Sequence, residues 1–390
     1  MPSRERAAFL LRDQARYCEA MGSPLYAHLL ERAAEDAGAG GPVYELLEPF
    51  DAPSLRADAL ALRLMAAVHR LVLGGQAPGL AAHYPSAGGS AALDGAWPAF
   101  RDVVADRREH LRSLVVLPCQ TNEVGRCAAL AFGFLEVAQR YRRPLRLLEV
   151  GASAGLSLRF DRFRYAGGGA CFGPERSPVD LSGLWVEAPP HLPAEVQVVE
   201  RRGCDLRPVN PTSPDGRLTL ESSVWADQVD RMRRLRGAFE VAAREPARVD
   251  AMSVERWLPQ RLAERRPGVA TVVFHSIVDE YLRPAVRAAF HAAMQTAGAQ
   301  ASPDAPLAWV RLEPTPATRG YAVTLTTWPG SEERVVATSG AHGNAVRRGP
   351  GSGNDRDGGR KETAMDVRRN QGTRQTRSGS FVRPHRRSHK

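Results

Sequence analysis

The sequence predicts an α/β fold: an open, mostly parallel sheet with a C-terminal antiparallel hairpin, preceded by a helical region. Three observations carry this. Strand-like and helix-like segments alternate from Leu145 to Leu312. The first strand runs straight into a turn of small residues. The first 140 or so residues show helical rather than alternating periodicity. The expected organisation is a helical N-terminal region over 1–140, the α/β domain over 141–346 with an insertion at about 165–195, and a disordered basic tail over 347–390.

The helical region reads in order. Arg4–Met21 is amphipathic. Gly22, Ser23 and Pro24 supply a stop, a cap and a proline at the first helical position. Leu25, Leu29, Leu30 and Ala33 form the next apolar face, ended by Gly38–Pro42. Ser54–Leu73 and Trp97–Leu114 are further helices, with a loop-rich stretch between them. Gln120-Thr121-Asn122-Glu123 then opens a long helix through Arg140. Thr121 or Asn122 can cap it and Glu123 suits its positive end. The functional alternative is that Asn122 and Glu123 line a pocket beside the turn that follows the first strand.

That strand and turn are LRLLEVGASAGLSL, Leu145–Leu158. Leu145, Leu147, Leu148 and Val150 form the continuous apolar run of a strand covered on both faces. Glu149 stands at its end. Gly151, Ala152, Ser153, Ala154 and Gly155 are all small, so backbone amides can approach a ligand at the start of the next helix. The spacing E-x-G-x-x-x-G is one glycine short of the dinucleotide fingerprint. The bland reading is a strand–helix turn packed tightly for its own sake.

The basic, aromatic run Arg159–Tyr165 reads more readily as a helix end with solvated arginines than as a substrate contact. Val196–Glu200 is a second strand, leading to Cys204-Asp205-Leu206. An acid at that place can accept from ribose hydroxyls, or can simply serve a turn. Its distance from Glu149 calls for an inserted hairpin, which Val179–Glu187 is expected to supply. Val249-Asp250-Ala251 marks a third strand. Ala270–Val278 is a fourth, ending in His275 and Ser276, and Leu307–Leu312 is a fifth. Tyr321–Trp328 and Glu333–Thr338, around Pro329-Gly330, form the hairpin. Ligands of such sheets bind beyond the carboxyl ends of the strands. Glu149–Gly155, Asp205, Asp250 and His275 are therefore expected to converge there. His275 is the candidate acid–base catalyst, since an imidazole can deprotonate a hydroxyl acceptor. A histidine bonded locally at a strand end is the commoner case.

Composition limits the function classes. The chain has 390 residues, 43% hydrophobic, with a net charge of +10. Residues 341–390 hold 13 Lys/Arg and 4 Asp/Glu, leaving the other 340 residues with 40 of the 53 basic and 39 of the 43 acidic side chains. The charge belongs to the tail, so no nucleic-acid partner is expected of the folded part. No apolar run is long enough for a membrane span, and Met1–Tyr17 lacks an apolar signal core. Five cysteines without a C-x-x-C pair point to reduced thiols, a cytoplasmic location and no zinc site.

The ordered series E-x-G-x-x-x-G, C-D-L-x-P, D-A…W-L-P and V-V-F-H-S resembles the motifs of class I S-adenosylmethionine-dependent methyltransferases. The chain from about Arg4 to Val346 also looks like a member of an uncharacterised bacterial family, domain of unknown function 2332. LPCQTNEVGR, LLEVGASAGLSLRFDRFRY, RRGCDLRPVNP, VVFHSIV and SGAHGNAVR carry that resemblance. The methyltransferase resemblance implies a Rossmann-like methyltransferase-type sheet and S-adenosylmethionine as cofactor. It further implies that Glu149 orients the methionine amino end through the loop, that Gly151, Ser153 and Gly155 form that loop, that Asp205 takes the ribose hydroxyls and that Asp250 takes the adenine amino group. Ser153 stands where the middle glycine is usual. No N-P-P-[YF] follows the fourth strand, so methylation of a base or a glutamine by that motif is not implied. The expected function is cofactor binding with methyl transfer to a small-molecule acceptor. The alternative is a non-catalytic or regulatory module that keeps the fold.

Overall fold

The computed structural model describes residues 3–50, 59–193, 195–315 and 320–350. Seven helices lead the chain: α1 (Arg4–Ala20), α2 (Pro24–Ala39), α3 (Pro42–Leu47), α4 (Leu60–Leu73), α5 (Pro78–Ala81), α6 (Ala96–Asp106) and α7 (Arg108–Val115). The start of the helix expected from Ser54 and the tail from 351 onward lie outside the described residues. The Ser3 hydroxyl accepts from the Arg6 amide at the start of α1, and Pro24 opens α2. Ser23 spends its hydroxyl elsewhere, donating to Asp227 Oδ1 at 2.5 Å, while Asp227 Oδ2 accepts from the Leu25 amide at 3.0 Å. The cap of α2 thus comes from 202 residues away. Trp225 and Ala226 are buried in the helical core, and the Trp225 ring stacks on Tyr26.

The expected long helix from Gln120 is shorter: a 3-10 turn at Val124–Arg126 leads into α8 (Cys127–Tyr141). Then come β1 (Leu145–Val150), a small hairpin β2 (Tyr165–Gly167) and β3 (Ala170–Phe172), β4 (Val198–Asp205), α9 (Pro214–Ser222), α10 (Val229–Arg244), β5 (Arg248–Ala251), α11 (Val254–Ala263), β6 (Ala270–Ser276), α12 (Pro284–Ala299), β7 (Leu307–Thr315), β8 (Gly320–Trp328), β9 (Glu332–Ser339) and β10 (Arg347–Arg348). Eight strands form one sheet in the order β10-β9-β8-β7-β6-β1-β4-β5. The five from β5 to β7 run parallel, and β7 through β10 form an antiparallel meander. The order reverses between β1 and β6, where the chain leaves one wing of the sheet for the other.

The inserted hairpin is Tyr165–Phe172, around Gly168-Gly169, and not Val179–Glu187. The latter stretch is held by isolated bridges, Arg164 to Asp180 and Trp185 to Val346. Arg347 and Arg348, which composition assigns to the tail, pair with Thr338 and Ala337.

Two apolar layers cover the sheet. Leu145, Leu147, Val272, Phe274 and Val310 face α8 and α10. Leu148, Val150, Val273 and Trp309 face α11 and α12. Strand residues alternate between the layers, as the pleat demands. No helix among the described residues is long and apolar enough to cross a membrane.

Candidate functional site

The turn after β1 is held in an unusual backbone shape. Gly151, Ser153 and Gly155 have φ of +67°, +51° and +65°. Ser153 lacks glycine's freedom there and needs support from its surroundings. It receives it twice: its amide donates to Asp205 Oδ2 at 2.9 Å and its hydroxyl to Gln120 Oε1 at 2.7 Å. The amides of Ala154 and Leu156 both donate to Asn122 Oδ1, at 3.2 and 3.0 Å. Asn122 therefore braces the turn and does not cap its own helix.

The helix expected after the turn is a seven-residue 3-10 helix, Leu156–Arg162, broken at Arg159. Arg159 is buried rather than solvated, donating to the carbonyls of Gly155 at 2.6 Å and Glu245 at 2.7 Å. A Cβ on Gly151 would lie 2.7 Å from Val278 Cγ2, and one on Gly155 2.9 Å from Val249 Cγ2. Neighbouring side chains demand these glycines.

Glu149 is fully buried beneath the turn, with Oε2 unpartnered. Burial pushes its carboxyl well above the usual range, and neither the Ser157 hydroxyl nor the Arg159 charge offsets this. Asp205 is partly exposed. Each of its oxygens accepts one amide, from Arg207 at 2.8 Å and from Ser153, leaving acceptor capacity on both.

Asp250 and His275 lie on the other face of the sheet. β1 and β6 pair Leu148 with Val273 and Glu149 with Phe274, so His275 points with Val273 toward α12. Asp250 pairs with Cys204, of that same layer. Its Oδ2 accepts from Arg202 Nε and Trp257 Nε1, both at 2.8 Å, and its Oδ1 from Arg248 Nε at 2.7 Å. Burial raises its pKa, but those three donors prevail and hold it at about 2. Asp250 is thus spoken for by the protein. The His275 ring is 0% exposed and bonds Glu313 Oε1 through Nδ1 at 2.7 Å. The four strand-end residues expected to converge are split, two to each face.

Glu123 is buried in an ion pair with Arg231 Nε at 2.5 Å and accepts from the Gly125 amide at 3.1 Å. His342 Nδ1 lies 3.3 Å from it. Burial raises its pKa, and the Arg231 and His342 interactions outweigh that and hold the carboxyl far below the usual range. Ser276 meets Arg126, whose Nη1 donates to its carbonyl at 3.3 Å and whose Nε donates to the Ala341 carbonyl at 3.0 Å. The segments LPCQTNEVGR and SGAHGNAVR, 215 residues apart at that contact, therefore clasp each other beside the carboxyl end of β6. Gln120, Arg126 and Glu313 are the structural members that sequence reasoning did not single out. The first two stand inside a quoted motif, and Glu313 directly follows the fifth expected strand. A cavity of about 400 Å³ opens elsewhere, between α10 and the loops at Pro85 and Pro178.

A family model described as "Uncharacterized protein conserved in bacteria (DUF2332)" matches residues 8–348. No curated protein matches the chain, and no solved structure does.

Proposed function

The chain belongs to this uncharacterised bacterial family, and from its site we propose that the turn after β1 binds S-adenosylmethionine, for methyl transfer to a small-molecule acceptor. Asp205 carries the reading. It ends the strand next to β1, touches the turn through the Ser153 amide at 2.9 Å, and retains acceptor capacity on both oxygens for a ribose diol. The parallel strands stand in chain order 3-2-1-4-5, the doubly wound order whose ligands lie where it reverses. That supports a Rossmann-like assignment.

Residue fit is uneven. Glu149, its carboxyl pushed up by burial and one oxygen unpartnered, suits a place beneath a polar ligand end. Asp250 does not suit the adenine role, because Arg202, Arg248 and Trp257 already occupy it. Gly151 and Gly155 give the turn its shape against Val278 and Val249. When bound, the cofactor supplies an electrophilic methyl group. The chain's part is to hold the turn rigid through Asn122, Gln120 and Asp205, and to accept the ribose hydroxyls at Asp205. His275, sealed on the opposite face, takes no part in acceptor chemistry under this reading.

One observation favours a second reading, a non-catalytic module that keeps the sheet. The amides of Ser153, Ala154 and Leu156 already have side-chain acceptors. Calorimetry of the full chain with S-adenosylmethionine and S-adenosylhomocysteine tests the proposal. Saturable heat with either supports it, and neither heat nor a thermal shift overturns it. Binding without methyl transfer to any of a panel of small acceptors selects the second reading.

A further inference from the structure

The face of the sheet turned away from the cofactor turn holds a second polar cluster. His275 is next to last in β6, Asp279 follows in the loop, and Glu313 stands near the end of the neighbouring β7. One ligating atom from each lies within 4.8 Å of the others. Glu313 Oε1 accepts from His275 Nδ1 and from the Val278 amide at 2.9 Å, which pins the loop that carries Asp279. His291, on α12, brings Nε2 to 3.7 Å from Asp279 Oδ2. Phe290 and Trp309 wall the cluster, their ring centroids 5.4 and 5.9 Å from that of His275.

The buried polar atoms here without a hydrogen-bond partner include His275 Nε2, Asp279 Oδ1, Glu313 Oε2 and His291 Nε2, with Trp309 Nε1 and Arg311 Nε beside them. Such atoms are costly to bury unsatisfied. Two carboxylates also stand close together in a screened-off setting, which is unfavourable unless a cation or a proton lies between them. Arg311 is on the same face, with its Nε unpartnered. It stacks on Trp309 and donates to Glu333 Oε2 at 2.6 Å.

We propose that His275, Asp279 and Glu313 form a binding site for a divalent first-row transition metal, with His291 at its edge. An imidazole with two carboxylates is a donor set that suits Zn²⁺ or Mn²⁺. Bonds of about 2.0–2.2 Å would draw the three donors inward around the ion. The fully buried His275 ring supplies the rigid member, fixed by packing against Phe290 and Trp309. The site lies on the opposite face from the cofactor turn and rests on none of that reading.

The full chain, stripped with chelator, is titrated with Zn²⁺ and separately with Mn²⁺ by calorimetry, with metal content read by mass spectrometry. One equivalent of at least one ion should bind. Asp279→Asn, at a partly exposed loop position, should weaken binding tenfold or more without changing the circular dichroism spectrum, and Glu313→Gln should do the same. Two results overturn the proposal. One is the failure of both ions to bind at one per chain. The other is wild-type affinity in Asp279→Asn, which would leave a shared proton as the cluster's content. Should Glu313→Gln misfold, Asp279→Asn decides alone.

Discussion

Glu149 and His275 are the next-to-last residues of adjacent parallel strands, Glu149 beside Phe274 and His275 one residue further on, yet they face opposite sides of the sheet. One looks toward α8 and the turn of Gly151–Gly155, the other toward α12, Trp309 and Glu313. A single step along a strand turns a side chain over. It separates the proposed cofactor turn from the proposed metal cluster.

Gly151→Ala should destabilise the fold by about 1–3 kcal/mol, from a left-handed alanine and a close contact with Val278. Adding Val278→Ala should restore the steric share and leave the backbone share. Urea denaturation of the single and double variants separates them. Full recovery in the double variant would show that the left-handed backbone costs nothing.

Asp205→Asn keeps the size but leaves one acceptor oxygen where two now serve the Ser153 and Arg207 amides. Affinity for S-adenosylhomocysteine should fall tenfold or more, about 1.4 kcal/mol. Calorimetry reads the change. Unaltered affinity would remove Asp205 from the cofactor site.

Glu123→Gln should cost about 3–5 kcal/mol, because it leaves the Arg231 guanidinium buried without its counter-charge. The Glu123 carboxyl sits far below its unfolded value, so its contribution is present above the unfolded pKa and is lost as pH falls toward the folded one. The stability gap between wild type and variant should therefore be full at pH 7 and narrow below about pH 4. Chemical denaturation across that range checks both the size and the direction.

His69 ties the helical region to α9. The Ser222 carbonyl can only accept, so Nδ1 carries the proton toward it at 3.2 Å and Nε2 accepts from Ser86 Oγ at 2.7 Å. Burial lowers its pKa from 6.5 to about 4. The unfolded chain takes up the proton first, so stability is full above pH 6.5 and falls between 6.5 and 4, by about 3 kcal/mol. His69→Gln should flatten that part of the stability–pH curve. An unchanged slope would assign it to other groups.

Much of the sheet was legible in the sequence because burial leaves a local mark. The apolar run of Leu145–Val150 lies wholly in the interior, and Ala270–Ser276 and Leu307–Thr315 show the same character. Hairpin chemistry at Pro329-Gly330 located β8 and β9. The insertion was harder. Val179–Glu187 reads as the inserted hairpin, but it makes only isolated bridges and packs as irregular chain instead. Arg159 reads as solvated because the Glu245 carbonyl it donates to lies 86 residues away.

The sequence by itself determined the order of the main strands and helices, the small-residue turn after β1, and which strand ends carry acids and a histidine. Those properties follow from local periodicity, glycine geometry and hydrophobic runs. Tertiary structure alone decided what each polar side chain faces. Asn122 and Asp205 reach the turn from 32 and 52 residues away, Asp250 is claimed by Arg202 and Trp257, and His275 is sealed against Glu313. The reason is physical. Alternation tells which residues share a face of one strand, but the side of the sheet that face looks toward is set by pairing register and by the helices packed on it.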